Sequence, residues 1–479
     1  MKFRQSDPVK IYLEDFSEEE YTLAFSKLTY ADKSVDHQIR MLKNNPYYFK
    51  SMGEQAFSQR IEDLKSQQKK QVLFQDEGGV YTLSGLRTFL KQIFPTATWE
   101  GCYRMPETKL LRFEKLPKIT LREYQEKSVV RLLEFKHGNT ELATGAGKTA
   151  VLLYLAKETG LKTVVAAPST DIATTIYKLF VEHFGKSKVG MFVGTKKDTS
   201  KLITVATAQS LTRVESGTEH WDNLSTADCF MFDECHLVAA ETFFKIATGI
   251  CANASYRYFC SATPERNDGK DLLMRGIIGD TVVRKTIRNL IEEGYLAKIS
   301  TTIMDVESDD TYSSQNALRM NQHHLYTNRK ILNFICNVSE WAFKSNIQTL
   351  ILIDEHDQEA LLKANMRVTY EYASGASDTH KIVEDFNAGK ILCVVGTSAV
   401  SIGSDFRSNK LTIAWQGGKA GTKVKQGPIG RSTRKDERTG KTECRIIGFR
   451  VTNVPMLKKH ANACISHYEE VGPVTYGKL

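Results

Sequence analysis

The sequence predicts an α/β protein in which two tandem, doubly wound parallel-sheet domains follow a small N-terminal α+β accessory domain. From about residue 111, short apolar runs alternate with helix-like stretches. These runs are apolar on both strand faces, which is typical of parallel strands covered by helices on two sides. The series pauses over the charged stretch 284–298 and then resumes, so one sheet should end and another begin near residue 285. The length of 479 residues fits about three domains.

The first 110 residues lack this regular alternation and are predicted to form the accessory domain. Residues 9–13 alternate like a short strand, a Gly-Gly turn precedes a second strand at 80–83, and 86–94 is typical of a helix. We therefore expect domains at residues 1–110, 111–284 and 285–479.

The composition excludes disordered and membrane-spanning classes of protein. With 41% hydrophobic and 25% charged residues, the chain is too apolar to be disordered. Its apolar runs are shorter than a membrane span, and the first residues lack the apolar core of a secretory signal. The nine cysteines are scattered and never spaced as C-x-x-C, which favours reduced thiols. We expect a soluble, intracellular protein with no membrane partner.

The net charge of +9 is concentrated at the C-terminal end. Residues 407–479 contain 15 Lys and Arg against 5 Asp and Glu, whereas the rest of the chain contains 50 and 51. A localised basic region indicates a polyanionic partner, most often nucleic acid, or an ordinary solvated surface, and charge alone favours neither. The candidates for phosphate contact are Lys419, Lys423, Lys425, Lys435, Arg438 and Lys441.

A glycine-containing loop at 142–149 is the first candidate site. It follows a predicted strand and opens a helix-like run, so Gly145 and Gly147 would let backbone amides approach phosphate oxygens. Lys148 would reach the β- and γ-phosphates, and Thr149 would place its hydroxyl on Mg²⁺. The strict pattern begins with glycine, where this chain has leucine, and so short a pattern also occurs as an ordinary turn at a helix start.

A carboxylate pair after an apolar strand supports the phosphate-site interpretation. Residues 229–232 are apolar and lead directly into Asp233 and Glu234. At the carboxyl end of a parallel strand, this pair would lie at the rim where such sheets bind ligands. Asp233 can then hold Mg²⁺ through water, and Glu234 can orient or deprotonate the attacking water. A helix N-cap pair is the alternative, and the upstream loop makes it the weaker one.

In the order of its motifs, the chain resembles the superfamily 2 helicases and translocases over about residues 115–460. The resembling segments are 121–125 for adenine recognition, 167–170 and 207–211 for the nucleic-acid backbone, 233–236 for motif II, 261–264 for motif III, 349–354 for motif IV, 396–398 with 403–405 for motif V, and 430–434 for the end of motif VI.

This resemblance implies a RecA-like fold for each sheet domain, ATP and Mg²⁺ as cofactors, and DNA as the partner. The catalytic residues that it and the loop pattern indicate are Lys148, Asp233, Glu234, Arg431 and Arg434, with the two arginines reaching the γ-phosphate. The expected ATP-binding residues are Gln125, Thr144, Gly145, Ala146, Gly147, Lys148, Thr149, Gly403 and Asp405, and the expected metal-holding residues are Thr149 and Asp233. Nucleic-acid contacts are implied for Pro168, Ser169, Thr207, Gln209 and Thr397.

Motif VI departs from the family spacing Q-x-x-G-R-x-x-R. Gln426 precedes Gly430 by four positions, and Gly427 stands at the expected glutamine position. The spacing of Arg431 and Arg434 is intact, so their implied roles carry over, whereas the role of Gln426 stays open.

Segments 189–197, 261–269 and 290–296 look like the UvsW-type phage helicases and their XPB-like relatives. That resemblance implies a 3′-to-5′ DNA helicase acting on forks, Holliday junctions and R-loops in replication, recombination or repair. It would work in the cytoplasm, the host's if phage-encoded, and its accessory domain would recognise the DNA substrate. The alternatives are a duplex-DNA translocase that does not separate strands, an RNA-dependent ATPase, and an ATP-binding scaffold or switch.

Overall fold

The computed structural model describes residues 1–43, 45, 47, 51–101, 119–262, 268–374, 378–397, 405–418 and 421–479. The chain forms two compact units. The first comprises Met1–Ala143 with Gly147–Lys285, and the second comprises Thr286–Leu479 with Thr144–Ala146. Among the described helices, none combines the length and the apolar character needed to cross a membrane.

The first unit begins with short strands and helices and continues as a regular alternation of the two. Its strands are β1 (Lys2–Arg4), β2 (Lys10–Glu14), β3 (Thr29–Ala31), β4 (Lys69–Gln71), β5 (Phe74–Asp76), β6 (Gly79–Leu83), β7 (Thr98–Glu100), β8 (His137–Leu142), β9 (Thr163–Ala167), β10 (Val189–Val193), β11 (Lys196–Lys197), β12 (Ile203–Thr207), β13 (Cys229–Phe232), β14 (Tyr256–Ser261) and β15 (Thr281–Lys285). Its helices span Glu18–Lys27, Lys33–Lys43, Glu54–Ser66, Arg87–Ile93, Glu123–Phe135, Lys148–Thr159, Thr170–Phe184, Ala208–Leu211, Glu219–Ser225, Ala240–Thr248 and Asp271–Ile278, with 3₁₀ turns at Ser84–Leu86 and Cys235–Leu237.

The large sheet of the first unit has eight strands in the order β11-β10-β12-β9-β13-β14-β8-β15. Its neighbouring strands are parallel, except that β11 runs antiparallel to β10. Every residue of β9, β12, β13 and β14 is buried, as expected for strands that are apolar on both faces.

The second unit repeats this plan with seven parallel strands in the order β18-β19-β17-β20-β21-β16-β22. These strands are β16 (Lys298–Val306), β17 (Thr349–Ile353), β18 (Glu371–Ala373), β19 (Cys393–Gly396), β20 (Leu411–Trp415), β21 (Glu443–Val451) and β22 (Val474–Lys478). The helices span Ile287–Glu292, Ala317–Asn321, Arg329–Lys344, His356–Asn365, Thr379–Asn387, Gly421–Val424, Gly430–Ser432 and Pro455–Glu469, with π turns at Gln322–Tyr326 and Lys425–Ile429. The predicted α/β class with two parallel sheets is confirmed.

The charged stretch 284–298, which the sequence predicted as a break between the two sheets, contains a short helix. β15 ends at Lys285, and Thr286 caps the helix Ile287–Glu292 by accepting a hydrogen bond from the backbone N–H of Asn289 at 3.2 Å. Leu290 is the buried residue of this short helix. Because so few of its side chains are apolar and buried, the charged sequence predicted a break between the two sheets and not a helix.

Residues 1–101, here called the N-terminal segment, form a five-stranded sheet in the order β5-β6-β2-β1-β7. Only β1 and β7 are parallel within it, and β3 pairs with β4 in a separate ribbon. The segment packs on the helix Asp271–Ile278 of the same unit: a Cβ added at Gly85 would lie 2.5 Å from the carbonyl oxygens of Arg275 and Gly276. Leu83 and Leu86 share one apolar core with that helix.

We expect Gly85→Ala to lower the free energy of unfolding of the first unit by about 2 kcal/mol, because the added methyl meets backbone atoms that cannot rotate away. Gly276→Ala is the matched control on the other side of this contact. A Cβ there would lie 2.8 Å from Cδ1 and 3.1 Å from Cβ of Leu83, side-chain atoms that can shift more easily than backbone atoms, and alanine favours a helix interior over glycine by about 1 kcal/mol. Urea unfolding measures both variants, and equal losses would contradict the close backbone contact.

Candidate active site

Several strands of the first sheet end at the same level. Phe232 of β13 lies opposite Ala166 of β9 on one side and Phe259 of β14 on the other, and Ala166 also lies opposite Ala206 of β12. Because these strands are parallel, the residues that follow them emerge at one edge. Asp233 is the first residue after β13, so its carboxylate is presented at this carboxyl edge.

The candidate phosphate loop, residues 143–147, connects β8 to the helix Lys148–Thr159 at the same edge. Gly145 and Gly147 have φ angles of +86° and +76°, a region that residues with a side chain rarely adopt. A Cβ at Gly147 would also collide with the side-chain amide of Gln125. The loop therefore needs both glycines, and it leads into a helix N-terminus whose backbone N–H groups suit a phosphate.

Lys148 is held by acceptors from two strand ends. Its Nζ lies 2.8 Å from Oε1 of Glu234, and it donates to the carbonyl oxygens of Leu142 at 3.1 Å and Ala143 at 3.5 Å. The Lys148 side chain is only 6% exposed. Burial opposes its charge, but the carboxylates of Glu234 and Asp233 outweigh that effect and raise the pKa of Lys148. The leucine at the first loop position, Leu142, supplies its carbonyl oxygen to Lys148 and buries its side chain completely, so the position does not require glycine.

Thr149 and Asp233 supply oxygen ligands that suit Mg²⁺. The Thr149 hydroxyl donates to Oδ2 of Asp233 at 3.1 Å, and the other carboxylate oxygen accepts from the backbone N–H of Glu234 at 2.9 Å. Burial and the nearby Glu234 charge raise the pKa of Asp233, a cost that a bound cation would remove. In the part of the chain that is described, no cluster of three or more His, Cys, Asp and Glu forms a protein-only metal cage. One hydroxyl and one carboxylate fit Mg²⁺, which normally completes its shell with water and phosphate.

Glu234 is oriented by two residues that the sequence analysis placed in motifs II and III without an individual role. His236 Nδ1 lies 3.4 Å from Glu234 Oε2 and 3.1 Å from the hydroxyl of Ser261 at the end of β14. Glu234 itself has a φ of +51°, a conformation that costs energy in a residue with a side chain. The His in the D-E-C-H sequence was the available signal for this contact, but its partner Ser261 lies 25 residues away.

Gln125 contacts the phosphate loop directly. Its side-chain N–H donates to the carbonyl oxygen of Gly147 at 3.3 Å, and its Oε1 accepts from the backbone N–H of Arg122 at 2.8 Å. The sequence assigned Gln125 to adenine recognition, and the structure adds a supporting role under the loop.

The four first-unit residues expected to contact nucleic acid also lie at strand ends. Pro168 and Ser169 follow β9, and Ser169 Oγ caps the next helix by accepting from the N–H of Ile172 at 3.4 Å. Thr207 ends β12, is 5% exposed and accepts from the N–H of Ser210 at 3.3 Å. Gln209 is exposed. The two hydroxyls are therefore engaged in helix capping, which sequence pattern alone did not separate from a binding role.

In the second unit, Arg434 and Asp405 form an ion pair, with Nε and Oδ1 3.3 Å apart. Arg431 is 2% exposed, and Thr397, at the end of β19, is 8% exposed. Gly403 lies outside the described residues. So do Thr263 and Pro264 of the motif III segment.

The altered spacing of motif VI coincides with a π turn at Lys425–Ile429, immediately before the helix that carries Arg431. A π turn holds more residues than an α turn, so it accommodates the extra residue between Gln426 and Gly430. The arginines then keep their place on the following turn, which explains why their own spacing is unchanged.

A series of buried hydrogen bonds connects the motif VI helix to β20 and to Lys441. The Ser432 hydroxyl donates to the carbonyl oxygen of Pro428 at 2.6 Å and lies 2.8 Å from the hydroxyl of Thr412 on β20. Asn409 donates to Thr412 at 2.7 Å and accepts from Lys441 Nζ at 2.9 Å.

The candidate phosphate-contacting cations of the C-terminal region are largely engaged within the second unit, and Lys419 lies outside the described residues. The observed partners are Asp354 for Lys423, Glu470 for Lys425, the carbonyl oxygen of Gly294 for Lys435, that of Ala388 for Arg438, and Asn409 for Lys441. The concentration of positive charge therefore reflects internal contacts to a considerable extent, and is weak evidence for a polyanion surface.

We expect the Lys148–Glu234 pair to show strong coupling in a double-mutant cycle without nucleotide. Lys148→Met should cost about 3 kcal/mol, because it leaves the buried carboxylate of Asp233 and the partly buried carboxylate of Glu234 together without a cation. Glu234→Gln should cost less, since the Glu234 side chain is 18% exposed. In the double variant the loss should be smaller than the sum of the single losses by about 1 kcal/mol or more. Urea unfolding gives all four values, and additive losses would contradict the ion pair.

We expect Lys441 to make stability rise with pH. Burial lowers the pKa of Lys441 to about 8, below the value of about 10.4 for an unfolded lysine. Between these values only the unfolded state holds the proton, so stability increases as pH rises. The unfolding free energy of the unmodified protein should gain about 3 kcal/mol over that of Lys441→Met from pH 8 to 10.5. Lys390→Met is the control, because the Lys390 side chain is 72% exposed. If the difference in unfolding free energy between the unmodified protein and Lys441→Met does not change with pH, the prediction is wrong.

The chain is similar to known proteins over part of its length. Residues 118–266 match the family described as the type III restriction enzyme res subunit. The chain is 35% identical over 182 residues to the DNA 3′-5′ translocase XPB2 of Sulfurisphaera tokodaii, covering 38% of this chain and 39% of the relative. It is 26% identical over 253 residues to "Probable helicase D10" of Escherichia phage T5, covering 51% and 53%. The chain thus spans about half or less of the length of the curated relatives it matches.

Solved structures agree in fold. A fragment of an HsdR subunit of a type I restriction enzyme from Vibrio vulnificus aligns over 85% of this chain and 77% of that chain, with 16% identity and a TM-score of 0.57. Phage T4 UvsW aligns over 100% of this chain and 99% of that chain, with 16% identity and a TM-score of 0.43. Over part of its length the chain is thus similar to a restriction-enzyme res subunit, a DNA translocase and a probable phage helicase, as the ordered motifs predict, and the HsdR fragment agrees with its fold.

Proposed function

We propose that this chain is an ATP-dependent DNA helicase or translocase that unwinds or branch-migrates branched DNA with 3′-to-5′ polarity. The observation that carries the proposal is the pairing of Lys148 with Glu234 and of Thr149 with Asp233. These residues lie in the segment 118–266 that matches the res-subunit family, and the chain is similar over 182 residues to a DNA 3′-5′ translocase. Forks, Holliday junctions and R-loops are the proposed substrates. Replication, recombination or repair is the proposed context, in the cytoplasm, which is that of the host if the chain is phage-encoded.

The proposed nucleotide chemistry starts from the ion pair at the phosphate loop. The charge of an incoming triphosphate competes with Glu234 for the ammonium group of Lys148. Once Lys148 turns to the phosphates, the Glu234 carboxylate becomes available to orient the attacking water or accept its proton. His236, 3.4 Å from the other carboxylate oxygen, keeps Glu234 oriented during this exchange.

The remaining roles concern charge neutralisation and positioning. Thr149 and Asp233 would hold Mg²⁺, which supplies positive charge against the phosphate oxygens in phosphoryl transfer. Gln125 would contact the base while it supports the loop, and Arg431 and Arg434 would neutralise the γ-phosphate.

Nucleic acid would be bound mainly through its phosphates by Pro168, Ser169, Thr207, Gln209 and Thr397. Binding should therefore depend little on base sequence and weaken as salt concentration rises. A change in conformation between the nucleotide-bound and product-bound states would move the bound strand.

The description of the matching family favours a second candidate function. A restriction-type motor, suggested by the res-subunit family, would translocate along duplex DNA without separating its strands. An RNA-dependent ATPase is the remaining alternative. The choice of nucleic acid that stimulates ATP hydrolysis separates these candidates.

We expect Lys148→Ala to reduce ATP hydrolysis by about 100-fold or more, because it removes the main charge partner of the β- and γ-phosphates. Salt-dependent DNA binding should persist. Lys157→Ala is the matched control on the same helix. Lys157 lies away from the loop, and its Nζ pairs with Glu158 Oε1 at 3.3 Å. ATP hydrolysis is measured with forked, four-way and linear duplex DNA, single-stranded DNA and RNA, together with the strand products.

Strand products from forked or four-way DNA would support the helicase. Hydrolysis stimulated by duplex DNA without strand products would support the translocase, and RNA-selective stimulation would support the RNA-dependent ATPase. If no nucleic acid raises the rate, the motor proposal is wrong, and an undiminished rate in Lys148→Ala would overturn the phosphate-site assignment.

A further inference from the structure

The N-terminal segment joins the rest of the first unit through charged residues that the proposed nucleotide chemistry does not use. Asp32, Lys70, Glu241 and Lys270 form this group, here called the Asp32 cluster. The Asp32 side chain is 1% exposed, and its Oδ2 lies 2.9 Å from Lys70 Nζ and 3.4 Å from Lys270 Nζ. Its Oδ1 accepts from the backbone N–H of Ser34 at 3.0 Å. Lys270, whose side chain is 8% exposed, also pairs with Glu241.

Backbone contacts fix the same corner. The N–H of Lys33 donates to the carbonyl oxygen of Asp268 at 2.9 Å. Gly269 has a φ of +77°, and a Cβ there would collide with the carbonyl oxygen of Ala31. Residues 268–270 are therefore held against the N-terminal segment at several adjacent points, so the contact has a defined geometry.

Two members of the Asp32 cluster, Glu241 and Lys270, lie on the two chain segments that follow β13 and β14 at the carboxyl edge of the sheet. Near that edge, His236 after β13 contacts Ser261 at the end of β14, with Nδ1 and Oγ 3.1 Å apart. Farther along, Glu241 of the first segment pairs with Lys270 of the second. The two segments are thus bridged twice, and Asp32 attaches the N-terminal segment to the distal bridge.

A buried ion pair such as Asp32–Lys270 changes in strength when its two charges are displaced slightly. Burial opposes the charge of Asp32, but hydrogen bonds from Ser34 and Lys70 and the charge of Lys270 lower its pKa to about 2. The cluster then contains two carboxylates and two ammonium groups at neutral pH. The side chains of Asp32 and Lys270 are 1% and 8% exposed, so this pair gains its attraction only in one close geometry, whereas those of Lys70 and Glu241 are 42% and 50% exposed. A shift of Glu241 relative to Lys270 therefore changes how strongly Asp32 is held.

We propose that Asp32 is a positioning residue that passes the nucleotide state of the first unit to the N-terminal segment and thereby couples ATP hydrolysis to strand movement. Both parts rest on the proposed nucleotide site, and the strand-movement part rests in addition on the proposed action on DNA. The two parts therefore have separate tests.

The first test uses hydrogen exchange on the full chain with a non-hydrolysable ATP analogue and Mg²⁺. Exchange of the backbone amides of residues 29–36 should slow at least three-fold on nucleotide binding in the unmodified protein. In Asp32→Asn the slowing should be absent. Asp76→Asn is the matched control, because Asp76 binds Lys10 at 2.6 Å and Tyr12 at 3.0 Å within the N-terminal segment, and it should behave like the unmodified protein.

The second test measures ATP consumed per strand separated or translocation event. Asp32→Asn and Lys270→Met should keep the KM for ATP within two-fold and raise ATP consumption per event at least five-fold. Lys270→Arg, which keeps the charge, should restore the ratio. If Asp32→Asn does not fold, Glu241→Gln replaces it, since the Glu241 side chain is 50% exposed, with an expected rise of at least two-fold.

These measurements separate the two proposals. Unchanged exchange in the nucleotide-bound unmodified protein, or equal slowing in Asp32→Asn, would overturn the role of Asp32 whatever the chain's substrate. A folded Asp32→Asn with an unaltered ATP-to-event ratio would overturn the coupling. Slowed exchange without any nucleic-acid-stimulated hydrolysis would leave the nucleotide response standing and refute the helicase or translocase function.

Discussion

In the first sheet, β13 lies between β9 and β14, and Phe232 stands opposite both Ala166 and Phe259. This register is the constraint on which the candidate site depends. It brings the residues after separate strands to one edge, where the phosphate loop also begins its helix. A shift of the register by one residue would turn each side chain of the strand to the opposite face. The fully buried side chains of the central strands prevent that shift, so apolar packing fixes the geometry of the charged site.

Buried charge is used for different purposes in the two units. At the phosphate loop, Lys148 and Glu234 neutralise each other in a place where a phosphate can replace the carboxylate. In the second unit, Lys441 is buried with Asn409 as its hydrogen-bond acceptor, and its lowered pKa shows the cost of that position. Since several neighbouring cations have internal partners too, the net charge of +9 describes the construction of this unit more than a surface for DNA.

The N-terminal segment is better understood as part of the first unit than as an appended module. Leu83 and Leu86 enter the core of that unit, Gly85 allows close backbone contact, and Asp32 supplies a buried ion pair. Deleting the segment would expose this apolar surface, so its role is accessible through point substitutions and not through truncation. The proposed recognition of branched DNA by this segment would then be mechanically linked to the ATP-binding sheet.

The alternation of apolar runs with helix-like stretches was sufficient to predict two parallel sheets. The order of motifs predicted a similarity to superfamily 2 helicases and placed Lys148, Asp233 and Glu234 at a candidate phosphate site. Each motif is a short run of residues that are close together in the sequence. The apolar pattern of a strand also depends only on neighbouring residues, so both can be recognised without the tertiary structure. The tertiary structure alone decided that Gln125 supports Gly147, that His236 meets Ser261, and that Asp32 meets Lys270. Those partners lie on different strands, helices and loops, and only the packing of parallel strands and of the N-terminal segment brings them within bonding distance.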